Sequence, residues 1–435
     1  MKNKSYCYQP TRFFWVANAL MIAFLAAWFY ITMDDWKYGG IPHIVKGLGS
    51  TIGVIGYFFF SFSLFLSSRI KKLEDWFGSL DQIYHLHHKI GLWGFYFLLC
   101  HPWFYAAKWI LQRPDKFFLF IFPIHHRLSV NLGSYAFWLM LFIIGATIFK
   151  LFPYDKWKLM HRFMSSVFLL ATFHIFFSQR PFNSSKASLV LICIPMGFGL
   201  FGVLYKQILT PFFFKTPIYK VIDTEKINDN VVKVTFKPEG KPLNFFLGQY
   251  AFFSFQNQMS REQHPFTICK EKKDSKISIF VKARGDFTKS LYNNIRPGFS
   301  ARLEGPYGRF DYMKGRANQI WIAGGIGIVP FLAWKEQIPR WPGRIDFCYC
   351  VHRVVDAVLF EQFQNIQSNN FNCFLYCTEM NKHLTVTQIA KTENDLRQKD
   401  IFMCGPEKLT HPFALEFVNL GVKRKNIHFE NFDFF

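Results

Sequence analysis

The chain has 435 residues and a formal net charge of +22; about half of it is hydrophobic and 20% is aromatic, with 56 Phe. That aromatic load exceeds ordinary globular composition and argues for a membrane portion. The Lys and Arg residues flank apolar runs or scatter through the polar half and build no compact basic helix. This argues against nucleic acid and for an anionic membrane surface or a phosphorylated cofactor.

Apolar residues concentrate before residue 210. Six runs, near 12–33, 47–68, 84–106, 131–150, 157–178 and 187–209, approach the ~20 residues that cross a bilayer. Inside lipid each backbone group must bond within its own helix, so six helices are expected. The first run follows Lys2, Lys4 and Arg12 and ends without a small-residue cleavage site, so it reads as a retained helix rather than a signal peptide. Arg69, Lys71 and Lys72 after the second run, and Lys150, Lys156 and Lys158 between the fourth and fifth, put these loops on the cytoplasmic side together with the N-terminus. Lys108, Arg113, Lys116 and Arg127 in the loop 107–130 oppose that bias. An even number of spans returns the C-terminal half to the cytoplasm.

Histidine is costly in hydrocarbon and marks function there. The third run carries His87 and His101, 14 residues apart: about 21 Å of rise with only about 40° of angular drift on a regular helix. The fifth carries His161 and His174, 13 residues apart, about 19.5 Å of rise. Ideal geometry turns these two rings about 140° from each other, so a regular helix would not present both to one side. In the expected topology both spans run from inside to outside. Side by side they offer two facing pairs, His87 with His161 and His101 with His174. Neutral imidazole is a good axial ligand for heme iron, and two pairs would hold two heme b groups across the apolar core. His85, His88, His125 and His126 read as helix-end residues at the headgroups.

The stretch "HHKIG" with His101, and "HR" with His174, resembles the ferric reductase and NADPH oxidase transmembrane domain. There a histidine followed four residues later by Gly opens the third helix, which selects His87, before Gly91, over His88. The resemblance implies an inner heme on His87 and His161 and an outer heme on His101 and His174.

From about 215 the pattern changes to alternating strands, beginning with "IYKVIDTEKINDNVVKVTFKP" and continuing near 250–256, 265–270, 277–283 and 300–304, as in a small antiparallel barrel. Flavin needs an aromatic or apolar wall, a donor near its reactive nitrogen, and groups for its pyrophosphate. In "HPFTI" Phe266 could supply the wall and Thr267 the donor. His264, together with Lys282 and Thr288 of "VKARGDFTKSL", could serve the phosphates. In their order these segments, with Pro265 and Gly285, resemble the flavin barrel of the ferredoxin-reductase superfamily in its oxidase and ferric-reductase branch. "EGPYGRF", with Gly305, Pro306, Tyr307 and Gly308, resembles the stretch that closes that barrel beside the nicotinamide nucleotide.

After 315 the order becomes strand, Gly-rich turn, helix, strand, an α/β nucleotide fold. In "NQIWIAGGIGIVPFLAW", Gly324, Gly325 and Gly327, followed by Pro330, let the backbone approach a pyrophosphate at a helix N-terminus. Arg353, after the strand "RIDFCYCV", could pair with a 2′-phosphate and favour NADPH, with NADH the alternative. Cys348-x-Cys350 and Cys373-x3-Cys377 lie in alternating stretches and read as buried thiols rather than zinc ligands. "MCGP" brings Cys404, Gly405 and Pro406; the resemblance implies that Cys404 lies by the nicotinamide ring. It also implies that Phe432, in Glu430-x-Phe432, stacks on the flavin and moves aside for the nicotinamide.

The expected architecture is therefore multi-domain. A six-helix transmembrane heme bundle (1–210) precedes an antiparallel β-barrel FAD domain (215–313) and an α/β NAD(P)H-binding domain (314–435). The expected activity carries electrons from NADPH through FAD and two hemes to an outer acceptor, dioxygen giving superoxide. Cys404, Thr267 and Phe432 would act at the hydride step. A ferric chelate is the alternative acceptor, and a quinone a further one. A heme-free, nucleotide-regulated proton conductor and a flavin reductase with a membrane anchor are readings of other classes.

Overall fold

The computed structural model describes residues 19, 22–30, 41–107, 109, 113–178, 186–210, 216–256, 262–271, 275–357, 359–380, 382–393 and 395–430. The first expected span thus lies largely outside the described residues, with 22–30 helical, and Phe432 lies outside them as well. The chain divides into two compact units, the second taking residues from 215 onward.

The first unit is helical: α1 (Ile41–Leu66), α2 (Lys71–Phe77), α3 (Leu80–Ala107), α4 (Pro114–Ile121), α5 (Leu128–Ile148), α6 (Tyr154–His161), α7 (Met164–Phe177) and α8 (Lys186–Leu204). Among the described residues four stretches, Ile44–Leu66, Leu128–Ile148, Lys156–Phe177 and Lys186–Leu209, are long and apolar enough to cross a membrane. At 28 residues α3 is longer still, about 42 Å, but Asp81, four histidines and Lys89 lower its hydropathy. Large apolar side chains such as Trp93, Phe142, Phe173 and Phe176 point outward from these helices, as lipid-facing surfaces require. Inside, α1 packs on α8 and α5 on α7 around Tyr57, Phe60, Phe137, Met140 and Phe168.

The seam between α1 and α3 is built on glycine. A Cβ on Gly49 would stand 3.1 Å from the Tyr105 backbone nitrogen, one on Gly56 2.8 Å from the Leu98 side chain, and one on Gly94 3.1 Å from the Phe60 nitrogen. Small residues at such contacts let two backbones approach where lipid offers no hydrophobic drive.

The fifth apolar run is not one regular helix. It breaks between α6 and α7 at Arg162 and Phe163, where Arg162, Phe163, Ser165 and Ser166 donate to carbonyls three residues back, at 3.2, 2.9, 3.2 and 2.9 Å. Each such tight step turns the chain about 20° more than an α step, so the four together reduce the 140° offset between His161 and His174 to about 60°. The distortion does what a regular helix could not.

The second unit begins with a seven-stranded antiparallel sheet: β1 (Ile218–Asn228), β2 (Val231–Pro238), β3 (Tyr250–Phe255), β4 (His264–Thr267), β5 (Cys269–Lys270), β6 (Ile277–Lys282) and β7 (Ser300–Tyr307), in the order β4-β3-β7-β1-β2-β6-β5. Its inward face carries Tyr219, Val221, Val234, Phe236, Phe253 and Leu303, and α9 (Asp286–Asn294) adds Leu291. A five-stranded parallel sheet follows: β8 (Gln319–Gly324), β9 (Ile345–Val351), β10 (Phe371–Cys377), β11 (Asp400–Cys404) and β12 (Ile427–Glu430), ordered β10-β9-β8-β11-β12. Every residue of β8 is buried, as expected of a central parallel strand. Between β8 and β11 the direction of strand addition reverses, and such switch points form crevices at the strand ends. The helices α10 (Val329–Trp334), α11 (Glu361–Gln364), α12 (Val386–Thr392) and α13 (Glu407–Asn419) cover the sheet. Cys348 faces one of its cores and Cys377 the other, so the two pairs cannot meet in one zinc site.

At the foot of this sheet Asp346, 3% exposed, accepts from Arg344 Nη2 at 2.9 Å and Asn372 Nδ2 at 2.8 Å and lies 3.4 Å from Lys399 Nζ. Burial by itself pushes its carboxyl up, but the Arg344 and Asn372 bonds outweigh it and hold the group below its ordinary value. A carboxyl depressed in the folded state stabilises above the unfolded value of about 3.9 and loses that contribution as pH falls through the folded value. Asp346→Ala, which leaves Lys399 with Glu393 as its remaining carboxylate partner and Asn372 without its acceptor, should cost about 1–3 kcal/mol. Thermal unfolding of the detergent-solubilised chain should show that loss at pH 7, and the difference from wild type should shrink below about pH 4.

Candidate functional site

The histidines lie as two ring pairs. The His87 and His161 ring centroids are 6.4 Å apart with planes crossed at 86°, and those of His101 and His174 are 6.3 Å apart and crossed at 68°. His88, beside His87, is exposed, so the helix register separates the two. His101 Nδ1 lies 2.7 Å from the Gly49 carbonyl oxygen, His174 Nδ1 2.7 Å from that of Ser129, and His87 Nδ1 2.9 Å from that of Ser63. A carbonyl only accepts, so each of these Nδ1 atoms carries the proton and each Nε2 keeps its lone pair. A Cβ on Gly53 would stand 2.5 Å from His101 Nδ1, and one on Gly133 2.8 Å from His174 Nδ1. The glycines therefore make the space in which the rings reach a neighbouring helix.

The pairs suit a metal with two axial imidazoles. Nitrogens about 2 Å from one metal, with ring centres about 1.1 Å behind them, put the centres about 6.3 Å apart. Among the described residues no group of three or more His, Cys, Asp or Glu is placed to hold a metal ion. A group bringing its own equatorial donors fits two-ligand sites of this kind.

In the second unit the two flavin-type segments meet. The His264 ring stacks face to face on Phe287, centroids 3.7 Å apart and planes 11° apart, and its Nε2 lies 2.7 Å from Glu262 Oε2. Pro265 pairs across the ladder with Phe252, Phe266 sets its ring edge against Phe253, and Thr267 is buried opposite Tyr250. Thr288 holds the turn into α9: its hydroxyl oxygen accepts from the Arg284 and Gly285 N–H groups, both at 3.0 Å. Lys282 ends β6 opposite Val231.

The nicotinamide-type segments converge on the switch point. Gly327 presses on the Cys404 carbonyl, where a Cβ would overlap it. Gly405 backs onto Gly324, and Pro406 leads into α13. Gly325 adopts φ +54°, which favours glycine. Pro330 is buried in the first turn of α10. In register, Cys404 lies between Ala323 of β8 and Glu430 of β12. Glu430 is 3% exposed and reaches the 305–308 turn, since a Cβ on Gly308 (φ +97°) would stand 2.8 Å from its Oε1. Gly305 lies over Ala251, Pro306 follows it, and Tyr307 pairs with Tyr250. Arg353 is paired with Asp356, Nε to Oδ2 at 3.1 Å, and the guanidinium holds that carboxyl below its usual range.

Sequence reasoning passed over Ser63, Gly53, Ser129, Gly133, Phe287 and Trp157. The spacing Gly49, Gly53, Gly56, one face of a helix, was the available signal for the glycine seam. Carbonyl acceptors such as those of Ser129 and Gly49 leave no mark in side-chain chemistry.

Crossed imidazole pairs in an apolar helical unit are thus followed in the chain by an antiparallel and a parallel sheet. Residues 52–172 match the family described as ferric reductase like transmembrane component, and residues 218–311 match an FAD-binding domain family. Ferric reduction oxidase 8, mitochondrial, of Arabidopsis thaliana is 27% identical over 175 residues, 36% of this chain and 23% of that protein. Flavohemoprotein A of Dictyostelium discoideum is 23% identical over 231 residues, 47% of this chain and 57% of that protein. Each alignment thus spans less than two thirds of the relative. The solved flavohemoglobin from Malassezia yamatoensis aligns with a TM-score of 0.49 and 15% identity over 93% of this chain and 98% of that one. Each of the two family matches covers less than a third of the chain, and together they put a segment similar to the ferric reductase like transmembrane component before one similar to an FAD-binding domain.

Cys404 is fully buried, and its thiol is pushed well above the ordinary value, first by burial and then by the nearby Glu430 charge. Thiolate is the reactive form, so Cys404 should resist iodoacetamide at neutral pH. Mass spectrometry should find it alkylated only after denaturation; rapid labelling of the folded chain would mean the switch point is open.

Proposed function

We propose that the chain passes electrons from NADPH, through FAD and two bis-histidine hemes, to a one-electron acceptor on the outer side, dioxygen giving superoxide. The observation that carries this reading is the two ring pairs, each with a centroid separation that suits one iron between two imidazoles, and with His87 and His101 about 21 Å apart along α3. His87 and His161 would hold the inner group, His101 and His174 the outer. Bound FAD supplies the change from a hydride pair to single electrons, and bound heme supplies one-electron carriers.

The chain's part is to bind, orient and exclude water. Phe266 and Thr267 line the flavin, the 264–267 and 285–288 segments flank its phosphates, and the 324–327 and 404–406 turns receive the nicotinamide nucleotide. Cys404 packs beside the nicotinamide and Phe432 covers the flavin until that ring arrives. Arg353 is the candidate for a 2′-phosphate and would have to share its guanidinium with Asp356. Domain limits of 1–210, 215–313 and 314–435, six spans and both termini in the cytoplasm complete the reading.

A ferric chelate is the second acceptor, favoured by the loop before α5. There Lys116 lies over the Trp109 ring at 4.7 Å, the His125 and His126 rings stack at 4.1 Å, and Arg127 follows. Cations there could draw an anionic chelate.

Purified chain should contain two low-spin hemes. His101→Ala should abolish acceptor reduction and leave flavin reduction by NADPH intact; loss of both would place His101 elsewhere. Gly53→Ala should displace the His101 ring and lower heme content, whereas Gly145→Ala, where a Cβ meets nothing within 4 Å, should not. Comparing superoxide-dismutase-sensitive dye reduction with ferrous-chelate formation separates the two acceptors. Phe432→Ala should change the ratio of kcat/KM for NADPH and NADH; an unchanged ratio removes its covering role.

A further inference from the structure

An imidazole that offers Nε2 to a metal still has an Nδ1–H to place, and leaving a buried donor unpaired costs about 1–3 kcal/mol. His101, His174 and His87 place theirs on the carbonyls of Gly49, Ser129 and Ser63, and His87 has the Ser63 hydroxyl at 2.8 Å as well. His161 is different. Its Nδ1 is buried and has no hydrogen-bond partner among the described residues. It is also the last residue of α6, at the break that lets this span present both of its histidines.

What steadies His161 is a ring. Trp157, one turn earlier, lies against it with centroids 5.4 Å apart and planes at 29°. Trp157 is itself tied to the neighbouring helix: its Nε1–H donates to Thr147 Oγ1 at 2.9 Å, and the Thr147 hydroxyl donates to the Ile143 carbonyl at 2.8 Å. A face contact limits tilt but leaves sliding and rotation freer than a directional bond does, and it does not raise the basicity of the ligand as an Nδ1–H bond to a carbonyl does.

We propose that Trp157, anchored by Thr147, is the positioning residue for His161, and that the His87–His161 site is the one of the two where the axial bond opens to admit a neutral diatomic ligand. The proposal rests on the ring pairs holding iron. With heme bound, His161 would be the ligand that gives way, exchanging its one bond to iron for one to the diatomic and leaving as neutral imidazole with its proton still on Nδ1, with no electron transferred. His101 and His174, each bonded to a carbonyl and seated against a glycine, stay in place.

The test uses the full chain, purified with its heme, reduced under carbon monoxide and followed in the Soret band. Carbon monoxide should bind only one of the two hemes, and that phase should persist in His174→Ala. Trp157→Leu should speed it at least tenfold, Trp157→Phe should stay near wild type because a ring remains, and Thr147→Val should fall between. Tyr105→Leu is the matched control, since Tyr105 lies beside His101 with centroids 6.2 Å apart; it should leave the rate unchanged. Equal acceleration by Tyr105→Leu, no effect of Trp157→Leu, or loss of the phase in His174→Ala would overturn the assignment. Should Trp157→Leu fail to accumulate, Thr147→Val decides alone, an unchanged rate counting against the proposal. Failure of the underlying reading looks different: wild-type chain would then lack the two-heme Soret band altogether.

Discussion

The membrane unit is organised around one interaction that three of its four paired imidazoles make, the bond of a buried ring's Nδ1–H to a neighbouring helix's carbonyl. Helix carbonyls are already engaged in their own ladders, but each has a second lone pair, and a neighbouring ring can use it if it comes close enough. Reaching that oxygen requires the other helix to withdraw its side chain. Gly53 does so for His101 and Gly133 for His174, and the same seam continues through Gly49, Gly56 and Gly94. Helix packing and ligand orientation are therefore one feature: the small residues that let the backbones approach also fix which nitrogen of each ring keeps its lone pair.

The stretch Lys156–Phe177 bears the cost of a 13-residue interval. Closing the angular gap takes a tightened, broken turn at Arg162 and Phe163, and tightened turns bond less well than regular helix. The break leaves His161 at a helix end, away from any carbonyl it could use, and an aromatic face takes over. The two pairs are similar in separation and unlike in support. A relay built from them need not be symmetric even though its ligands are chemically identical.

In the second unit the comparable constraint is the reversal of strand order between β8 and β11. It leaves two glycine-bearing turns side by side, and Gly327 and Gly405 allow their backbones to touch. Cys404 and Glu430 are brought to this edge by adjacent strands, and the 305–308 turn of the preceding sheet reaches over them. The stack of His264 on Phe287 likewise joins segments twenty residues apart into one wall.

Apolar helices in the first half and alternating strands in the second were legible in the sequence because they depend on periodicity, and periodicity is local. That His87 and His101 share a face was legible as well, because 14 residues on a helix return a side chain nearly to its starting face, whereas the 13-residue interval from His161 to His174 needed the break at Arg162 and Phe163. The segments around His264 and Gly285, and those around Gly324 and Cys404, could be singled out because each is a short stretch with its own chemistry, and the fold brings each couple together. Tertiary structure alone decided what holds each ring. That His101 bonds Gly49, 52 residues away, that His161 leans on Trp157, and that Thr288 is spent on its own turn while Arg353 is shared with Asp356 are choices among partners brought together only by packing. A backbone carbonyl is the same group at every position in the chain, so no reading of side chains could single out Gly49 or Ser129 before the helices were placed.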